Sequence, residues 1–120
     1  MSVSDIIRKR LADAGARYWA GDNISEHIEP GEKEQLIDEL QVKFHAVLES
    51  LVIDTDNDPN SADTGRRLAK MYVNEIMSGR YDPRPKATAF PNDSQEAYKG
   101  MLVVRSELKS MCSHHHQPVA

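Results

Sequence analysis

The chain is poor in the residues that cross-link a fold or carry it through a membrane. Its one cysteine, Cys112, excludes an internal disulfide and leaves a thiol free for metal or chemistry. That usage fits a reducing compartment, and a cytoplasmic location is the expectation. A single Trp and 6% aromatics suit a modest core, more helical than sheet-rich. No apolar run approaches the roughly 20 residues of a membrane-spanning helix, so no membrane contact is expected. The opening "MSVSDIIRKRLADAGARYW" lacks an apolar core and a cleavage signature, so no signal peptide is expected. Basic residues are also in deficit, 15 against 19 acidic, and "RKR" at 8–10 is too short to form a basic face. Nucleic acid is therefore not an expected partner. At 120 residues, without repeats or low-complexity tracts, this is one domain's worth of chain.

Helical periodicity dominates the first half. Ser4 is positioned to cap a first helix carrying Ile7, Leu11, Ala14 and Tyr18, fading near residues 20–23. A second helix opens around Pro30, with Glu32 and Glu34 near its positive end. Leu36, Ile37, Leu40, Phe44, Val47, Leu48 and Leu51 form its apolar stripe, with His45 a boundary histidine that nothing nearby pairs with. The spacing Asp54-x-Asp56-x-Asp58 resembles the start of a calcium loop. Pro59 and Gly65 stand where such a loop needs Gly and Glu, so a polar turn capping the next helix is expected instead. A third helix runs through "TGRRLAKMYVNEIMSGR", with Leu68, Met71, Tyr72, Glu75 and Ile76 on one side and Gly79 ending it. It is expected to pack on the second helix through Leu68, Tyr72 and Ile76.

Residues 81–100, with three prolines, read as a connector with a short edge strand at "KATAF". "MLVVRSELKSM" (101–111) then alternates with period two. Leu102, Val104 and Leu108 face one way and Arg105, Glu107 and Lys109 the other, which predicts a half-buried strand seeking a partner edge. The strand delivers Cys112, Ser113, His114, His115 and His116 at its end.

Zinc prefers thiolate and imidazole, and Cys112 with His115 makes a C-x-x-H pair suited to a turn. Two ligands do not make a tight site. The other imidazoles are His27, His45, His114 and His116, and there is no second cysteine. Taken alone the cluster is an incomplete metal site, a solvated polar tail or a tag remnant.

Three stretches in order, "DTGRRLAKMYVNEIMSG", "KATAFPND" and "MLVVRSELKSMCSHHHQPV", closely resemble the GTP cyclohydrolase I family. There a D-T-P-x-R-x-A-K-M-Y-x-x-E-I-x-S-G helix precedes a strand ending S-M-C-E-H-H. The resemblance is strong from Asp63 to Val119 and looser over the first two helices. It implies an α+β chain, N-terminal helices followed by the first part of a tunnelling-fold antiparallel sheet. Residues 1–55 are an N-terminal helical region and 56–120 the first part of the catalytic domain (third helix, connector and the strand ending in the Cys-His cluster), with subunits joining their sheets in a ring-like homo-oligomer, a decamer in the family. Cys112 and His115 match two zinc ligands, and His114 matches the histidine assigned to proton transfer; His116 is given no role. Zinc is the implied cofactor and GTP the substrate, hydrolysed to formate and 7,8-dihydroneopterin triphosphate for folate-type pterins or 7-deazaguanine nucleosides.

Two substitutions depart from the family pattern. Gly65 replaces a proline, a swap expected to be harmless at a capping position, and Ser113 replaces a glutamate, as in a divergent, phage-like branch. The family's second cysteine, its guanine-reading glutamate, a second histidine and its triphosphate-holding cations are not in these residues. A truncated chain, inactive alone, is the expectation. The rivals are a non-catalytic fragment and a nitrile-reductase-like enzyme on the same fold, whose zinc-independent nucleophilic cysteine the C-x-H-H arrangement disfavours.

Overall fold

The computed structural model describes residues 1–89, 100–108 and 110–119. They fall into two compact units, Met1–Pro83 and Arg84–Ala120. Among the described residues the first unit holds α1 (Val3–Asp13), a 3-10 turn (Ser25–His27), α2 (Glu32–Ser50), α3 (Thr64–Met71), a π-helical turn (Tyr72–Ile76) and α4 (Ser78–Tyr81). The second holds β1 (Ser110–Met111) and β2 (Pro118–Val119) as an antiparallel pair, so the content is α+β. No helix among the described residues is long and apolar enough to cross a membrane.

The cap of α1 is Ser2, not Ser4 as the sequence predicts. The Ser2 hydroxyl accepts from the Asp5 N–H and the Asp5 carboxylate answers the Ser2 N–H, a reciprocal box that needs a three-residue spacing. Ser4 is already helical, and its N–H donates to Glu39 of α2 at 3.2 Å. The helix also stops earlier than expected. Gly15 turns left-handed (φ 63°), its N–H reaching the Ala12 carbonyl and that of Ala16 the Leu11 carbonyl, a Schellman closure. Ala14 and Tyr18 therefore lie beyond the helix. Val3, Ile7 and Leu11 bury one face against Ile24 and Leu36.

Helix α2 begins as expected, after Gly31 at φ 86°. Glu32 in its first turn is buried and gripped by Arg10 through two N–H···O bonds of 2.7 and 3.1 Å. Arg10's hydrogen bond holds the Glu32 carboxyl below its ordinary value, against the opposing effect of burial. Leu36, Ile37 and Leu48 are buried, whereas Val47 and Leu51 of the expected stripe are exposed.

The face of α3 also differs from the expected one. Gly65, Ala69 and Val73, four residues apart, are buried against α2, with Ile37, Leu40 and Phe44 opposite. Ile76 is exposed. Tyr72 does meet Phe44, ring centroids 5.2 Å apart. The smallest side chains face inward because that lets the helices approach. An added Cβ on Gly65 would lie 3.0 Å from the Gln41 carbonyl oxygen and 3.2 Å from the His45 nitrogen. Gly65 is thus a close-packing residue in the first turn of α3 rather than the capping residue expected, the cap being Asp63.

Beyond Met71 the backbone widens, and the Met77 N–H reaches back to the Tyr72 carbonyl at 2.9 Å. Gly79 does not end the helix, because α4 resumes at Ser78 and carries it inside. Residues 17–24 are fastened to α4 by polar bonds. Arg80 donates to the carbonyls of Tyr18, Trp19 and Asp22, and Asn23 donates to those of Gly79 and Asp82.

In the second unit the expected strand 101–111 shrinks to Ser110–Met111. Residues 101–108 carry no regular structure, and Leu102, Val104 and Leu108 are exposed rather than half-buried. A strand cannot satisfy its own backbone groups, and among the described residues its last two find a partner, where the chain turns back on itself. Residues 86–89 of the expected edge strand are irregular; Phe90 and Lys109 lie outside the described residues.

Candidate functional site

The Cys-His run forms the loop of a short hairpin. Ser110 pairs with Val119 and Met111 with Pro118. The Cys112 N–H then donates to the Gln117 carbonyl at 2.9 Å, leaving Ser113–His116 as a four-residue loop. The His116 N–H closes that loop onto the Cys112 carbonyl at 2.9 Å, with His116 at φ 53°. Histidine is among the few residues other than glycine that adopt this left-handed region with some frequency. His116, given no role from the sequence, therefore shapes the turn through its backbone. Nothing in the sequence pattern marked it, because the requirement arises only when the chain reverses.

The loop gathers part of a donor set around sulfur. Cys112 Sγ accepts from the His114 N–H at 3.4 Å and lies 3.6 Å from His114 Nδ1. The His114 and His115 rings stand 6.4 Å apart, centroid to centroid, tilted by 38°. Cys112 is half-buried and His114 and His115 are exposed, so thiol and imidazoles are reachable. Of the residues expected to act here, the sulfur of the expected ligand Cys112 lies against His114 rather than against the other expected ligand, His115. Among the described residues no group of three or more His, Cys, Asp or Glu side chains is placed to hold a metal ion.

The remaining histidines and the acidic loop serve locally. His45 Nε2 shares a hydrogen bond with the buried Thr55 hydroxyl at 3.3 Å and lies 3.4 Å from Glu49, so the expectation that nothing pairs with it is corrected. His27 Nε2 lies 3.4 Å from Glu26. In the 54–63 loop, Asp54 accepts from Asn57 and Asp58 from Asn60 and Ser61. These are turn-making bonds.

The chain thus holds a helical unit and, later in sequence, a short two-stranded hairpin carrying the Cys-His run, and comparison with known proteins gives the family. Residues 40–120 match the GTP cyclohydrolase I family, and the chain belongs to that family. It is 38% identical over 84 residues to GTP cyclohydrolase 1 of Aeromonas salmonicida (strain A449), covering 68% of this chain and 37% of that protein. It is also 38% identical over 85 residues to GTP cyclohydrolase 1 of Shewanella amazonensis, covering 69% of this chain and 38% of that protein. The chain thus spans well under half the length of these curated relatives. No solved structure matches it.

Proposed function

We propose that residues 56–120 carry the first part of a zinc-dependent GTP cyclohydrolase I site, which yields formate and 7,8-dihydroneopterin triphosphate from GTP and water. The observation that supports this most is the family match over residues 40–120, whose Cys-His motif sits on a hairpin with the thiol half-buried and the His114 and His115 imidazoles exposed. The donor chemistry suits zinc, which takes thiolate and imidazole. Following the family motif, Cys112 and His115 hold the ion, and its third protein ligand comes from outside these 120 residues. Bound there, zinc supplies Lewis-acid activation of water near neutral pH.

His114 holds and releases a proton at its imidazole while the guanine five-membered ring opens at C8. Its Nδ1 contact with sulfur orients the ring and leaves Nε2 for that proton. Residues 101–108 complete a tunnelling-fold sheet when other strands pair with them, within a ring-like homo-oligomer. The product feeds folate-type pterins or 7-deazaguanine nucleosides. By themselves the 120 residues lack the guanine and triphosphate anchors and do not turn over.

Two proteins test this: the 120-residue chain, and the chain extended by the remaining portion of a family relative. The extended protein is expected to bind zinc stoichiometrically and to release formate from GTP, while the shorter one releases none. Cys112→Ser should remove the zinc. His114→Ala should keep zinc and GTP but lose about 100-fold or more in formate release. Zinc retained by Cys112→Ser would sink the ligand assignment, and formate release by the 120-residue chain would sink the reading of a partial site.

A further inference from the structure

We infer that the first unit carries a binding pocket for a small anion with an apolar body, built wholly from residues 4–81. A cavity of about 160 Å³ opens between α1, residues 18–24, α2 and α4. Its buried lining is aliphatic: Ile7, Leu11, Ile24 and Leu36. An apolar cavity of about 150 Å³ is known to take up a benzene-sized molecule, so the space suits one ring or a branched alkyl group.

The polar lining fixes the sign of the ligand. Arg8 and Arg80 are its only charged members, and no carboxylate lines it, although acidic residues outnumber basic ones 19 to 15 in the chain. Arg80 is immobilised by donating to three backbone carbonyls; its charge is felt by the nearby Asp22 carboxylate, and the Tyr81 ring lies 6.0 Å from it. Among the described residues Arg8, half exposed, pairs with Asp5 at 2.9 Å, an exposed ion pair that opens at small cost. One fixed and one movable cation thus stand over an aliphatic wall, with the Tyr18 and Tyr81 side chains beside them. That combination recognises a monocarboxylate on a body about the size of one ring. Seven of the nine lining residues precede residue 40, where the family match begins, so the pocket is largely a property of this chain's own N-terminal segment.

Titration of the 120-residue chain by amide NMR with benzoate, benzyl alcohol and inorganic phosphate tests the assignment. Benzoate should saturate in the millimolar range, as a fragment of this size does, with shifts centred on residues 4–36 and 80–81. Benzyl alcohol, the neutral analogue, should bind about fivefold more weakly, and phosphate, which lacks the apolar body, should not saturate. Arg8→Gln, at an exposed position that leaves the fold intact, should lose about fivefold in benzoate affinity, and the distant control Arg67→Gln should lose nothing. The inference is overturned if benzoate fails to saturate, if Arg8→Gln binds it as the parent does, or if benzyl alcohol or phosphate binds equally well.

Discussion

The two units of this chain treat their apolar residues in opposite ways. In residues 1–83, Leu11 and Val73 are fully buried and a chain of side-chain bonds ties one element to the next. In residues 84–120, Leu102, Val103, Val104 and Leu108 are 72–80% exposed, although they are as hydrophobic. A helix satisfies its backbone internally and needs only a neighbour for one face, which the first unit supplies from nearby sequence. A strand must find another strand for its backbone before its side chains can be covered. Among the described residues the second unit offers Pro118–Val119, enough to pair two residues.

Paired substitutions put the largest strain on this comparison. Leu11→Ala should cost about 3 kcal/mol in urea unfolding of the 120-residue chain, because it opens a hole in a closed core. Leu102→Ala should cost less than about 0.5 kcal/mol. Equal costs would mean that residues 101–108 are covered in solution and that the contrast is false.

Two glycines sharpen the picture within the first unit, with smaller effects of opposite sign. Gly65→Ala should destabilise by about 1 kcal/mol. The contact at 3.0 Å with the Gln41 carbonyl outweighs the helix preference for alanine. Gly79→Ala meets nothing within 4 Å and should stabilise by up to about 1 kcal/mol. Thermal melts of the two variants should move apart, and a stabilised Gly65→Ala would contradict close packing of α3 on α2.

The smallest effect concerns the junction of α1 and α2 and has a defined pH window. Arg10 lowers the Glu32 carboxyl below its ordinary 4.5, so the folded state holds the ionised form more strongly than the unfolded state does. That stabilisation is complete above about pH 4.5 and is lost as the pH falls through the folded value. Glu32→Gln should therefore be less stable than the parent near neutrality, with the difference shrinking as the pH falls through the lowered value of the folded state. Urea midpoints measured across that range check it; a difference that stays constant with pH would show that the Arg10 contact does not act through charge.

Some of the candidate site was legible because its chemistry is local in sequence. One thiol followed by three imidazoles within five residues is a donor set wherever it sits, and the motif around it carried family membership. The hairpin itself was not legible. The left-handed turn at His116 and the approach of His114 Nδ1 to sulfur depend on Cys112 meeting Gln117 across the loop. The pocket lined by Arg8 and Arg80 was equally hidden, since its walls come from residues some 70 positions apart.

The sequence by itself determined the positions of α2 and the start of α3, the acidic first turn of α2, and the clustering of Cys112 with three histidines. Periodicity, charge near a helix end and ligand type are all set by neighbours along the chain. Only the tertiary structure decided which face each helix buries. Gly65, Ala69 and Val73 turn inward rather than Leu68 and Ile76, since close approach of two backbones favours the smallest side chains over the most hydrophobic ones. It also decided that residues 101–108 have no partner strand among the described residues, because alternation specifies a strand's two faces but not the strand beside it.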